Sequence, residues 1–279
     1  MRQLIKYSSL NTLVIVLVVG GALVVFFPFF WMVLTSLKHS YEIYRKTLTF
    51  WPDSFFYFNN YAEVFRSQPF ARFFLNSLIV TGGCVGASLF FSSLGGYAFA
   101  KFDFPAKEII FFGFVLSVLM VPIQALIVPL YRMFNSLGLS NTYLGIMGPS
   151  LISAFGVFLM RQFIETIPTD YIDAARIDGL SEFGIFFKIV LPLSKPALAT
   201  LAVIKFFWTW NEFMWPLVII HEENMKTVTL GLSYFSGVWH VEYTLVCTAS
   251  FLSVIPILII FIFLQKYVVK GMTMTGIKG

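Results

Sequence analysis

Side chains able to do chemistry are scarce in this chain, and they crowd into one stretch, residues 161–196, RQFIETIPTDYIDAARIDGLSEFGIFFKIVLPLSKP. Asp170, Asp173, Arg176 and Asp178 give it charge, Ala174 and Ala175 give it a thin side, and Gly179 divides it. What these residues offer is recognition of another surface. Elsewhere three polar residues stand out against apolar surroundings. Gln124 lies between Pro122 and Pro129, and Asn211 and Glu212 lie inside the run Trp208-Thr209-Trp210-Asn211-Glu212-Phe213. A carboxylate within a membrane span is costly, so Glu212 is either functional, a helix-pairing group, or close enough to the outer interface to reach water. An amide between two prolines marks an irregular helix, tolerated where it packs on protein or lines a cavity.

Covalent and metal chemistry find no support. His39, His221 and His240 fall in expected outer loops, and His221-Glu222-Glu223-Asn224 lacks the second histidine of a zinc protease. No nucleophile–base set and no paired carboxylates can be assigned within the spans. No G-x-x-x-x-G-K-[ST] loop occurs, so the chain does not bind ATP in the Walker manner.

The elements that must position these residues follow from composition. Hydrophobic residues make up 58% of the 279 residues and charged residues only 12%, against roughly 25% charged in soluble domains. This predicts an all-α integral membrane protein with about six spans of some 20 residues. They are expected at 13–34, 73–100, 109–131, 142–160, 197–220 and 244–264. Pro28 and Pro256 are expected to kink the first and last, and Gly82 and Gly86 to let helices approach closely in the second. Lys205 is placed near the cytosolic start of the fifth, where it can snorkel. Cys84 and Cys247 sit in different spans and read as small buried residues rather than a disulfide. With the N-terminus inside, twelve of the 19 Lys and Arg fall on the inner side. The positive-inside rule therefore puts both termini and the 161–196 stretch in the cytosol. The formal charge of +5 follows from this bias and does not suggest nucleic acid.

Within the stretch, Thr169 is the expected N-cap of a first helix, with Asp170 and Asp173 near its positive dipole end. Gly179 suits the left-handed residue that ends it, and Ser181 caps a second. There Phe183, Phe186, Phe187 and Val190 form one apolar face, and Pro192 and Pro196 stop the helix. The product is a helix–glycine–helix finger. It either docks into a partner's groove or lies on the membrane as a folded loop. The spans bury little charge besides Glu212 and Lys205, less than a proton- or sodium-coupled carrier usually does. Energy for uphill transport would then enter from outside, with the finger as its port.

Asp173-Ala174-Ala175-Arg176-Ile177-Asp178-Gly179, nine further residues, and Ile189-Val190-Leu191-Pro192 resemble the E-A-A-x3-G-x9-I-x-L-P loop of ATP-binding-cassette importer permeases. Asp173 replaces the usual Glu and Leu180 a common Ala. Leu191 to Pro196, Trp210 to Phe213 and the end Gly271 to Gly279 are similar to the carbohydrate-uptake branch that includes the maltose permease G subunit. The resemblance implies a type I importer permease fold with a cytosolic coupling helix. It implies a non-enzymatic permease for an oligosaccharide or disaccharide, or alternatively for glycerol phosphate or a polyol. A stand-alone secondary carrier is the reading outside the family. Implied partners are a second, different permease, a cytosolic ATPase dimer that binds the ATP and Mg, an extracytoplasmic sugar-binding protein, and the bilayer. The implied place is a bacterial or archaeal cell membrane. Asp173, Ala174, Ala175, Asp178, Gly179, Leu191 and Pro192 become the coupling residues, with Gln124, Asn211 and Glu212 as pathway or gate residues. The domains are then 1–71, a first span and outer loop; 72–267, the permease domain; and 268–279, a cytosolic tail. Ala175→Arg is expected to block docking by bulk and charge.

Overall fold

The computed structural model describes residues 2–45, 47, 49–235 and 241–275. The end of the tail, 276–279, and His240 lie outside them. The described residues form helices joined by turns, in the order α1 Arg2–Ser36, α2 Ser40–Ile43, α3 Asn59–Ser67, α4 Phe70–Lys101, α5 Lys107–Met120, α6 Ile123–Ser136, α7 Tyr143–Met147, α8 Ala154–Glu165, α9 Thr169–Ile177, α10 Glu182–Ile185, α11 Leu191–Leu193, α12 Lys195–Trp210, α13 Met214–Ile219, α14 Val228–Leu232 and α15 Tyr243–Thr275. Among them α1, α4 and α15 are each long and apolar enough to cross a membrane unaided. The helices α1 and α15 run through Pro28 and Pro256 without interruption.

The other three expected spans are broken. Helices α5 and α6 meet at Val121 and Pro122, with Pro129 carried inside α6, so the third span breaks once. The fourth bends by 50° between α7 and α8. Thr142 and Ser153 cap its two halves through Gly145 N and Gly156 N, each at 3.0 Å. It continues to Glu165, into the stretch expected to be loop. The fifth stops at Trp210 and restarts at Met214, leaving Asn211 and Glu212 at the break.

Two compact units result, one of 1–70 and 232–255, the other of 71–231 and 256–279. In the first, the loop between α1 and α4 buries polar groups in pairs. The Asn60 amide donates to Ser36 O and Lys38 O, both at 2.8 Å. Glu42 accepts from His39 N at 2.8 Å and Asp53 N at 2.9 Å. Lys38 donates to Thr49 O and lies over the Trp31 ring.

In the second unit, α4 packs along α8, and here the glycines matter. A Cβ on Gly96 would meet Met160 Cβ at 2.6 Å and Arg161 N at 2.8 Å, while Gly82 and Gly86 face open space. The close approach expected of the Gly82/Gly86 pair is thus made within the chain by Gly96, because the register of α4 turns that face toward α8. Arg161 is buried by the contact and fully engaged, on Glu108 at 2.6 and 3.0 Å and on Glu165 at 2.8 Å. Lys205 also departs from expectation. It is 7% exposed, with Cys84 and Glu212 as its titratable neighbours. The α12 register points its ammonium inward rather than to the interface.

Candidate functional site

The finger begins at Thr169. Pro168, with extended backbone, takes the cap position, and Thr169 is the first helical residue rather than the N-cap. Proline lacks the amide that a helix start would leave unbonded, so the substitution of roles is cheap. Asp170 stays in the positive first turn. At the other end, Leu180 N donates to Ala175 O and Gly179 N to Arg176 O, both at 3.0 Å. That pair of bonds is the Schellman closure, and Gly179 supplies its left-handed residue with φ of +81°. Ser181 Oγ then accepts from Gly184 N at 3.2 Å and starts α10.

The second half is less regular than the sequence suggests. After Ile185 the helix widens into a π turn over Phe186–Val190, where each bond skips an extra residue. The buried side becomes Ile185, Phe186 and Val190, while Phe183 and Phe187 are exposed. Of the face expected from Phe183, Phe186, Phe187 and Val190, only Phe186 and Val190 are buried, and Ile185 takes the place of the other two. Pro192 sits in the first turn of α11 and does not end the helix; the chain turns by 77° at Ser194 instead. Leu191 packs partly buried on the finger core and Pro192 is exposed.

That core joins Ile172, Ala175, Ile185, Phe186 and Val190 to Tyr97 of α4 and to Met160 and Ile164 of α8. Ala175 is only 5% exposed. Of the two alanines expected on the thin docking side, Ala175 faces the chain's own core and Ala174 faces out. The outward face of α9 carries Tyr171, Ala174 and Ile177, spaced i, i+3, i+6, with Asp170, Asp173 and Asp178 around them. Ile177 is 86% exposed, a large apolar side chain at the tip of a charged loop.

A chain of polar bonds fixes this face to the second span. Arg176 Nη1 donates to Asp173 Oδ1 at 3.0 Å and its Nε to Glu182 Oε1 at 2.8 Å. The other Glu182 oxygen accepts from Tyr97 Oη at 2.8 Å. The Arg176 guanidinium lies 6.0 Å from the centre of the Phe102 ring. Arg176 holds the Glu182 carboxyl below the usual carboxylate range, assisted by Tyr97 and opposed by partial burial. Lys101 Nζ ties the approach to the finger by donating to Ile167 O at 2.5 Å. Glu182 and Tyr97 join the site only in the structure, and Arg176 acquires there a role in holding it together. The i, i+3 spacing of Asp173 and Arg176 was a visible signal, whereas Tyr97 carried none.

The remaining candidates lie apart from the finger. Gln124 is exposed in the first turn of α6. Asn211 Nδ2 bonds Phe207 O at 2.8 Å, and Glu212 Oε1 accepts from Trp215 N at 3.2 Å. Glu212 thereby caps the restarted helix α13. Among the described residues no group of three or more His, Cys, Asp or Glu is placed to hold a metal.

The family of binding-protein-dependent transport system inner membrane components matches residues 92–274. The arabinooligosaccharides transport system permease protein of Bacillus subtilis is 37% identical over 92% of this chain and 92% of its own length. A lactose transport system permease protein of Rhizobium radiobacter is 35% identical, covering 97% and 94%. The sn-glycerol-3-phosphate transport system permease protein of Pectobacterium atrosepticum is 31% identical, covering 92% and 94%. A crystal structure of a bacterial ABC transporter involved in import of the acidic polysaccharide alginate superposes with a TM-score of 0.82, at 25% identity over 94% of this chain and 97% of that one. The similarity to carbohydrate importers is general, and the maltose subunit is not singled out.

Proposed function

Since the chain belongs to the family of binding-protein-dependent transport system inner membrane components, we propose that it is the permease subunit of an ATP-driven importer of oligosaccharides or disaccharides, and that its finger is the coupling helix. It forms half of the translocation pathway beside a second, different permease. A cytosolic ATPase dimer supplies the ATP and Mg chemistry, and an extracytoplasmic binding protein delivers the sugar. The chain itself moves without catalysing. Sugar is favoured because relatives named for arabinooligosaccharides and lactose stand at 37% and 35% identity. Import of a glycerol phosphate is the second reading, favoured by the relative at 31%.

One observation carries the coupling role. The finger is rigid on the inside and sticky on the outside. Its inner face is an apolar core tied to α4 by the Tyr97–Glu182 hydrogen bond, and its outer face presents Tyr171, Ala174 and Ile177 within a ring of aspartates. Apolar anchors rimmed by charge are what an interface needs. A capped, packed helix transmits displacement as a body. Asp173, Ala174, Asp178 and Gly179 act on the outer face and its end; Ala175, Leu191 and Pro192 act by seating the finger. Gln124, Asn211 and Glu212 remain the pathway or gate candidates, Glu212 by holding the break before α13. Both termini and the finger are cytoplasmic. Residues 1–71 form the first span and outer loop, 72–267 the permease domain, and 268–279 the cytosolic tail.

The test is purification of the chain from its native membrane with associated proteins retained. An ATPase, a second permease and a sugar-loaded binding protein are expected. Isolation of the chain alone, with nucleotide-independent transport in vesicles, would overturn the proposal.

A further inference from the structure

The first compact unit encloses a cavity of about 180 Å³ between the last turns of α1, the segment through α2 and the first turns of α15. We propose that this cavity binds one small neutral polyol, no larger than a single sugar ring. The site has no share in the coupling role, and its occupancy does not depend on the import proposed above.

The lining sets the class of ligand. Lys38 and Glu42 both line the cavity, and each is 2% exposed. Among the described residues neither forms an ion pair, with the other or elsewhere. Lys38 spends one N–H on Thr49 O and lies over the Trp31 ring. Glu42 accepts one backbone N–H on each oxygen, from His39 and from Asp53. An ammonium carries further donors and a carboxylate further lone pairs, so each keeps capacity for a ligand. Thr35 and Thr49 also line the cavity. Both hydroxyl oxygens are buried with no hydrogen-bond partner among the described residues. Thr35 has only the Cys247 thiol beside it, a weakly bonding group.

Buried polar groups without partners are costly. A polyol hydroxyl donates and accepts, so one small molecule can serve the ammonium, the carboxylate and both threonines. A hydrocarbon serves none of them. The lining itself carries one charge of each sign, so a cation meets Lys38 and an anion meets Glu42, at a depth where burial strengthens the repulsion. The neighbouring Arg45 and Asp53 close on each other at 2.7 and 3.2 Å. Size gives the upper limit. The volume is worth about six waters and lies below the range of drug-sized sites, so it admits glycerol or one sugar ring and excludes a disaccharide. Tyr243, 52% exposed, is the most open residue of the lining and offers the way in.

The full chain in lipid nanodiscs, free of glycoside detergent, is titrated with glycerol and glucose, and with glucuronate and glucosamine as charged counterparts. At least one neutral probe is expected to bind at a single site per chain, and both charged probes about tenfold or more weakly. Thr35→Val and Thr49→Val keep the shape and remove one hydroxyl each. Each is expected to weaken binding about tenfold, the worth of one hydrogen bond. Neither should lower the thermal midpoint of the unliganded chain, because the hydroxyl removed has no partner there. Cys247→Leu fills the space and is expected to abolish binding. No binding of either neutral probe would leave a water-filled cavity only and overturn the site. Charged probes bound as tightly as neutral ones would overturn it too, as would neutral binding unchanged in all three variants. A lowered midpoint in both threonine variants would show their hydroxyls already paired and count equally against it.

Discussion

The hydroxyl of Tyr97 donates to Glu182 Oε2 at 2.8 Å, joining the C-terminal end of α4 to the finger 85 residues later. The other oxygen of the same carboxylate takes the Arg176 guanidinium, which also holds Asp173. If α9 is the coupling helix proposed above, a push on it would reach α4 through this short polar chain as well as through the apolar core beneath it. The bonds set direction, because each has one favoured geometry, while the core resists compression.

Tyr97→Phe removes the hydroxyl and keeps the ring. The expected cost to the finger's local stability is about 1 kcal/mol, modest because Glu182 keeps its arginine. Uptake per ATP hydrolysed should fall while complex assembly is retained. Faster hydrogen exchange in α9 should accompany it. Unchanged exchange together with unchanged uptake would show that the tie to α4 transmits nothing.

Two substitutions on α9 separate seating from docking. Ile177→Asp changes an exposed tip, so the chain's own stability should shift by no more than about 0.5 kcal/mol. ATPase binding should be lost. Ala175→Arg, expected from sequence to act by blocking a partner, should instead force charge and bulk into the finger core. A loss of about 3 kcal/mol or more is expected, read as reduced recovery of folded protein from the membrane. Normal recovery of Ala175→Arg would contradict the burial of Ala175.

Acid should release the finger only well below neutrality. Glu182 is held below its ordinary value by Arg176 and then by Tyr97. Its contribution is therefore complete above the unfolded value of about 4.3. It is lost as pH falls through the lower folded value. The protection of α9 and α10 against hydrogen exchange, taken relative to the intrinsic exchange rate at each pH, should be flat from pH 8 to about 5 and fall only below about 4. Glu182→Gln should abolish that dependence. A transition near neutral pH would rule out Glu182 as its source.

Gly96→Ala should be much worse than Gly82→Ala. The first places a Cβ 2.6 Å from Met160 Cβ and 2.8 Å from Arg161 N, forcing α4 and α8 apart at an expected cost of about 1–3 kcal/mol. The second meets nothing within 4 Å and gains helix propensity of up to about 1 kcal/mol. Thermal unfolding of the detergent-solubilised chain ranks them; equal midpoints would argue against the α4–α8 contact.

Much of the molecule could be read without its structure, for local reasons. Long uncharged runs give α1, α4 and α15, because a bilayer demands length and apolarity and little else. Gly179 and Ser181 mark helix ends through their own backbone and side-chain chemistry. Glu212 was visible as an anomaly, although its bond to Trp215 N was not. Lys205 was misplaced because hydropathy says where a residue lies along a span and nothing about which way it points. The breaks at Pro122 and Asn211 fall near the polar residues that drew notice, since polar groups and freed backbone are tolerated together.

By itself the sequence determined the all-helical membrane class, the finger's place between the fourth and fifth spans, and the motif by which it resembles a coupling loop. These depend on composition, on charge along the chain and on residues within a few positions of one another. The tertiary structure decided which side of the finger is free. It turned Ala175 and Ile185 inward, left Ile177 and Phe183 outside, and gave Glu182 its partner in Tyr97. A π turn alters which residues of a helical face are buried, and a hydrogen bond across 85 residues has no local precursor. Only the packed arrangement of α4, α8 and α9 determines both.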